Sequence, residues 1–217
     1  MKPQIHADKC NQKSISHRDH REHRVSISGE ILRLSITLMD CKPSVWREVE
    51  VTSSMTLARL HDVLQVLMGW DDYHLWAFEA GKKRFELPDP EVKTQLAAGD
   101  DPHQVILSAL LVRKGAKLLY NYDFGDDWCL DIRLLALGKA EPKVRYPRCL
   151  AGARAGPPED CGGPFGFEEL LAARKNPKRR GAKELLEWAG SDWNPEAFDL
   201  AVVNKSLAAL PAPRQLH

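Results

Sequence analysis

The sequence predicts an α+β fold, a single domain in which a mainly antiparallel sheet packs against about four helices. Alternating runs come in adjacent pairs, at 30–39 with 45–51 and at 117–123 with 128–134. A helical stripe over 57–68 follows the first pair, and further helical stretches follow residue 167. No βαβ repeat separates the strands, so hairpins dominate.

Each element has its own signal. From Glu30 to Met39, Leu32, Leu34, Ile36 and Leu38 share one face, and Arg33, Ser35 and Thr37 the other. That period of two predicts a half-buried strand. A turn at Asp40–Ser44 leads into a second strand, where Val45, Val49 and Val51 alternate with Trp46, Glu48 and Glu50. Thr56 is the expected N-cap of a helix carrying Leu57, Leu60, Val63, Leu64, Leu67 and Met68, ended by Gly69. His61 and Asp62 lie on this helix and read as solvated surface, because a His–Asp pair without a nucleophile makes no relay.

His74, Trp76 and Phe78 share a face of the next strand; Gly81 turns the chain, and Lys83, Phe85 and Leu87 return. Residues 88–103 have weak pattern, and the apolar run Val105–Val112 fits strand or helix equally. Leu118, Tyr120 and Tyr122 then alternate with Leu119, Asn121 and Asp123. After a turn at Phe124–Asp127, Trp128, Leu130, Ile132 and Leu134 complete a hairpin. Residues 138–166 show no period and are dense in Gly, Pro and Ala, which predicts a functional or core-wrapping loop. Helices follow at 167–175, stopping before Asn176-Pro177, and at 182–188, stopping at Gly190. A last helix is expected to begin with Asn194 as N-cap and Pro195 at its first position. It runs to about 210 with Leu200, Val203, Leu207 and Leu210 on one stripe.

Composition narrows the function classes. The 217 residues carry 31 Lys+Arg against 30 Asp+Glu, a formal net charge of +1. Such balance argues against a protein held mainly by phosphate contacts. No apolar run approaches the ~18 residues of a membrane span, and the first residues form no apolar signal segment. The five cysteines, at 10, 41, 129, 149 and 161, are odd in number and contain no CxxC, so free thiols in a reducing cytoplasm are expected. Residues 1–28, with His6, His17, His20 and His23, are polar and aperiodic and read as a disordered basic, His-rich tail. Residues 211–217 read as a flexible C-terminus, leaving a domain at 29–210.

Two strings stand out chemically. Asp123-Phe-Gly-Asp126 contains the kinase DFG triplet, but no Gly-rich loop, HRD stretch or VAIK lysine accompanies it. Gly125, Asp126 and Asp127 suit a tight turn, while Asp123 is placed to present a carboxylate to a cleft beside the hairpin tip. In Pro157-Pro-Glu-Asp-Cys-Gly-Gly163 the prolines stiffen the chain and the glycines open backbone angles closed to other residues. Between them sit Glu159, Asp160 and Cys161, which either face a ligand or accept backbone N–H bonds that pin the loop. Cys149 and Cys161 lack the close pairing of zinc ligands and read as buried thiols. The six Trp read mostly as core or groove walls. Arg145, Arg148, Arg154 and Arg174–Arg180 make a basic patch, a solvated face that keeps nucleic acid as a second partner class.

Pro43-Ser-Val-Trp-Arg47, Leu60-His61, Gly69-Trp70, His74-Leu75, Tyr120-Asn-Tyr-Asp-Phe-Gly-Asp-Asp-Trp128, the stretch from Pro147 to Gly163, Trp193-Asn-Pro195 and Phe198-Asp199 carry a family likeness. Together they make the chain, over residues 29–210, resemble the plasmid pRi ORF-three-like family, also described as transposon-passenger TnpR proteins. The resemblance implies one α+β domain and an association with mobile elements; it implies no activity, since the family has no established biochemical function. The chain departs from the family pattern at two places. The family often reads His-Leu-His where this chain has His74-Leu75-Trp76, and His where it has Leu130. A site built on those histidines in relatives would be incomplete here.

The candidate polar site therefore comprises His74, Asp123, Asp126, Asp127, Trp128, Arg154, Glu159, Asp160 and Cys161, in a cleft between the hairpin tip and the Pro–Gly loop. The expected function is a soluble accessory or binding module for a macromolecule, with protein or peptide ahead of nucleic acid and no membrane. No cofactor or metal is assigned. The alternative is a metal-assisted hydrolase using Asp123, Asp126, Glu159, Asp160 and His74 as ligands and general base, an oxygen-rich set suited to Mg²⁺ or Mn²⁺.

Overall fold

The computed structural model describes residues 30–87, 100–190 and 192–211. The expectations for the tail 1–28, for residues 88–99 and for 212–217 lie outside the described residues. Alternation becomes strand at β1 (Glu30–Leu38), β2 (Trp46–Thr52), β3 (Trp76–Ala80), β4 (Lys83–Phe85), β5 (Lys117–Tyr122) and β6 (Trp128–Lys139), joined by β7 (Arg148–Ala153). All pairings are antiparallel, in one seven-stranded sheet of order β4-β3-β5-β6-β1-β2-β7. With four α-helices beside it among the described residues, the fold is α+β.

The apolar faces meet as their periods require. Leu32, Leu34, Ile36 and Leu38 of β1 are buried, as are Leu118, Tyr120 and Tyr122 of β5 and Leu130, Ile132 and Leu134 of β6. Helix α1 (Leu57–Met68) buries Leu57, Leu60, Val63, Leu64, Leu67 and Met68 in the same core. Thr56 caps it by accepting the Arg59 N–H at 3.2 Å, and Gly69 closes it at φ +76°. The ambiguous run near 105–112 holds a single 3₁₀ turn at Leu107–Ala109 and an isolated antiparallel bridge from Ile106 to Thr56.

Tertiary contacts overrule local pattern in the second half. β7 falls inside the stretch expected to be structureless. Its sequence, Arg-Cys-Leu-Ala-Gly-Ala, has no β-branched residue and no alternation, yet it pairs with β2 with a bulge between Glu48 and Val49. Asn204 covers its free edge: its side-chain oxygen accepts the Cys149 N–H at 2.8 Å and its amide donates to the Cys149 carbonyl at 2.9 Å. An amide thus blunts an edge strand otherwise open to foreign pairing.

Helix α2 (Gly163–Lys175) starts before the expected Phe167, because Pro near its first position needs no N–H partner. Helix α3 (Ala182–Ala189) ends at Gly190. Helix α4 (Leu200–Ala209) begins later than Asn194 predicts. The Pro195 carbonyl, which a helix would use, accepts the Ala155 N–H at 3.1 Å instead. Asp199 is the true cap, accepting Ala201 N–H at 2.8 Å and Val202 N–H at 3.1 Å. Of the expected stripe only Leu207 is fully buried.

Candidate functional site

The site grows from the β5–β6 hairpin. Strand alternation places Tyr120 and Tyr122 in the core, and burial drives both phenols to seek partners. Asp123 then enters the left-handed region at φ +55°, which ends the alternation and turns its carboxylate inward, where it is buried. Its Oδ1 accepts Gly125 N–H at 2.9 Å and Asp126 N–H at 3.3 Å, shaping the tight turn. Its backbone N–H donates to the Leu75 carbonyl at 2.9 Å, tying the tip to the residues that lead into β3.

The Pro157–Gly163 strap is fastened across this tip. Glu159 accepts the Tyr122 hydroxyl on Oε1 and the Asp71 N–H on Oε2, the latter at 3.1 Å. Burial and the Glu159 carboxylate push the Tyr122 phenol well above its ordinary range, so it stays a donor. Trp70 donates its indole N–H to the Pro157 carbonyl at 3.1 Å. Asp126 reaches from the tip and accepts the Gly162 N–H at 3.1 Å. Prolines that cannot donate and glycines that admit close approach explain why this sequence serves as a strap.

Three predicted side chains converge between tip and strap. His74 Nε2 lies 3.6 Å from Asp123 Oδ2 and 3.4 Å from Asp160 Oδ1. One donor atom from each of the three residues falls within 4.8 Å of the others. His74 is held edge-on against Tyr122 with ring centroids 5.7 Å apart. The other predicted residues have different tasks. Asp126 and Glu159 are occupied by the hydrogen bonds just described. Asp127 is exposed at φ +56°, a turn residue whose N–H donates to the Asp123 carbonyl at 2.6 Å.

Trp128, Arg154 and Cys161 also stay outside the cluster. Trp128 is a core residue, packed against Trp70 and Phe167, because its place in β6 faces the helices. Arg154 is engaged elsewhere, with its guanidinium on Glu196 at 3.1 Å and its carbonyl accepting from Arg47. Cys161 is half-buried in the strap; burial and the nearby Asp126 push its thiol up to about 12, so it is a weak nucleophile at neutral pH. Burial likewise raises Cys41, Cys129 and Cys149, and all four described cysteines are free. The late basic patch is partly neutralised: Arg148 pairs with Glu50 and Glu141, and Arg179 with Glu169. Trp188 is exposed rather than part of a core or groove wall.

His61 corrects the reading of α1. It is buried, stacked on Trp76 with centroids 4.2 Å apart, and bonded at both ring nitrogens. The Tyr120 hydroxyl donates to Nδ1 at 2.7 Å, and Nε2–H donates to Asp72 at 2.9 Å. Gln65 closes the network, donating to Tyr120 at 3.0 Å and accepting the Asp72 N–H at 3.0 Å. A neutral imidazole satisfies every bond. Burial pulls the His61 pKa below its ordinary 6.5, against the opposing pull of Asp72 and Asp62. The unfolded chain therefore binds more protons as pH falls through about 6.5, so His61's contribution is full above that range and declines below it. Denaturant unfolding at about pH 7.5 and pH 5.5 should show the loss in the wild type and a smaller loss in His61→Gln. Identical losses would refute the assignment.

Fold and site define a class: an antiparallel sheet closed over a buried helix, with a polar cluster where a hairpin tip meets a Pro–Gly strap. The family described as plasmid pRiA4b ORF-3-like protein matches residues 30–202, and the chain belongs to that family. It is 37% identical over 191 residues to the uncharacterized protein y4hQ of Sinorhizobium fredii (strain NBRC 101917 / NGR234), covering 85% of this chain and 94% of that one. The crystal structure of MM3350, a protein of unknown function from Methanosarcina mazei Go1, is similar with a TM-score of 0.71 and 31% identity, over 79% of this chain and 96% of that one. At the two departures from the family pattern, Trp76 stacks on His61 and Leu130 is core. Among the described residues no helix is long and apolar enough to cross a membrane.

Proposed function

We propose that the chain is a binding module whose cleft, between the β5–β6 tip and the strap, takes a basic segment of a partner protein. What carries this reading is the joining of acidic groups and exposed apolar side chains around the tip. Asp71, Asp72, Asp123, Asp126, Asp127, Glu159 and Asp160 lie along the connected tip, strap and α1–β3 segment. In the α1–β3 segment Tyr73 is 78% exposed and Leu75 56%, and just past the strap, in the first turn of α2, Phe165 is 76% exposed. Large apolar side chains grouped at one end of a fold mark interaction surfaces more often than isolated ones do. Carboxylates repel a phosphate backbone, which favours protein over nucleic acid here. With Asp126 held by the Gly162 amide and Glu159 by the Asp71 amide and the Tyr122 hydroxyl, the five-residue hydrolytic arrangement has less support than binding.

Fluorescence anisotropy with peptides that combine Lys or Arg with Leu or Phe tests the reading. Saturable binding is expected, weakened about tenfold or more in Phe165→Ser and in Asp127→Asn. Equal binding of acidic peptides, or preference for a DNA duplex, would refute it.

A further inference from the structure

We infer that His74 Nε2, Asp123 Oδ2 and Asp160 Oδ1 are three ligands of one divalent transition-metal ion. The inference concerns the same cleft but stands whether or not a basic segment binds there. Distance is the first support. The His74–Asp160 and His74–Asp123 separations, 3.4 and 3.6 Å, exceed an ordinary N–H···O hydrogen bond of about 2.9 Å. Two ligand atoms each ~2.1 Å from a tetrahedral ion stand about 3.4 Å apart, so His74 has the spacing of a co-ligand with each carboxylate, and all three donor atoms lie within 4.8 Å of one another.

The second support is the state of His74 itself. Its Nε2 is shut off from solvent yet has no hydrogen-bond partner among the described residues. A buried ring nitrogen without a partner is costly, and coordination satisfies it. Third, Asp123 is oriented as ligating carboxylates are: backbone amides of Gly125 and Asp126 hold Oδ1, leaving Oδ2 toward His74. Asp160 sits at φ +57° on the strap with its side chain 72% exposed, so the outer side of the site is open. Three protein ligands with an open side leave a position for water or an external donor. One imidazole with two carboxylates suits Zn²⁺ or Mn²⁺ better than Ca²⁺, which takes six or more oxygens.

Calorimetric titration of the chelator-treated full chain with ZnCl₂ and MnCl₂ tests this. The background carries Ala at His6, His17, His20 and His23, so that the N-terminal histidines do not contribute. One ion per chain is expected, with CaCl₂ giving no comparable heat. Affinity should fall about tenfold or more in His74→Ala and in Asp160→Asn. Asp160 is exposed, so Asp160→Asn should melt as the parent does without metal, separating ligand loss from misfolding. Failure of the parent to bind either ion, or unchanged affinity in both variants, overturns the site. Neither result bears on peptide binding measured without metal.

Discussion

Arg47→Met is expected to cost the fold about 3–5 kcal/mol, the range for breaking a buried polar network. Arg47 lies on the apolar face of β2, between Val45 and Val49, and is buried. Its guanidinium donates to four carbonyls: Leu67 at 2.9 Å, Trp46 at 2.8 Å, Ala153 at 2.8 Å and Arg154 at 2.6 Å. The Leu67 carbonyl belongs to the last turn of α1, where a cation also meets the negative end of the helix. Phe198 lies over the guanidinium at 4.6 Å, and a Cβ at Gly152 would collide with the Phe198 ring and the Arg47 Cδ. One side chain thus joins β2, β7, the end of α1 and the segment before α4. Burial lowers its pKa to about 10, which still leaves it charged at neutral pH. Met keeps much of the volume and removes every donor. For a chain of this size the melting temperature should fall by about 6–20 °C, and Arg47→Lys should recover part of it. A loss under about 1 kcal/mol would show that these carbonyls need no internal partner.

Gly163→Ala is expected to detach the strap from the hairpin tip. Gly163 sits at φ +66°, and a Cβ there would overlap the carbonyl of Asp126. The left-handed backbone alone costs an L residue about 1–2 kcal/mol, and the overlap forces tip or helix to move as well. Gly69→Ala separates the two effects. Gly69 has φ +76° with no atom within 4 Å of where a Cβ would stand, so it carries the backbone strain without the collision. The expected order is a loss of about 1 kcal/mol for Gly69→Ala and about 2–4 kcal/mol for Gly163→Ala. Limited proteolysis should cut the strap faster in Gly163→Ala only. Equal stability losses and equal cleavage would mean that the approach of strap to tip matters little.

These two positions mark where reading along the chain stops being sufficient. β1, β2, α1 and the β5–β6 hairpin are legible because their burial is periodic: alternation in Leu32–Leu38 and in Leu118–Tyr122, helical spacing in Leu57–Met68. Asp123 and the Pro–Gly strap are legible as unusual chemistry, since carboxylates beside glycines and prolines predict turns and fixed loops. The roles of Arg47, His61, Asn204 and β7 have no such local signature. A charged residue within a valine alternation reads as an interruption, and a histidine on a helix reads as surface, until four carbonyls or a tyrosine hydroxyl are brought up to it. The same holds within the candidate site. Local chemistry marks Asp126, Glu159 and Asp160 alike, but the fold aims Asp160 at His74, turns Asp126 onto the Gly162 amide and turns Glu159 onto the Asp71 amide and the Tyr122 hydroxyl. Local periodicity encodes which faces are apolar, and so the class of fold. Which polar groups are consumed and which stay available depends on partners up to about a hundred residues away, such as Glu50 with Arg148 or Arg47 with Arg154, and only packing brings them together.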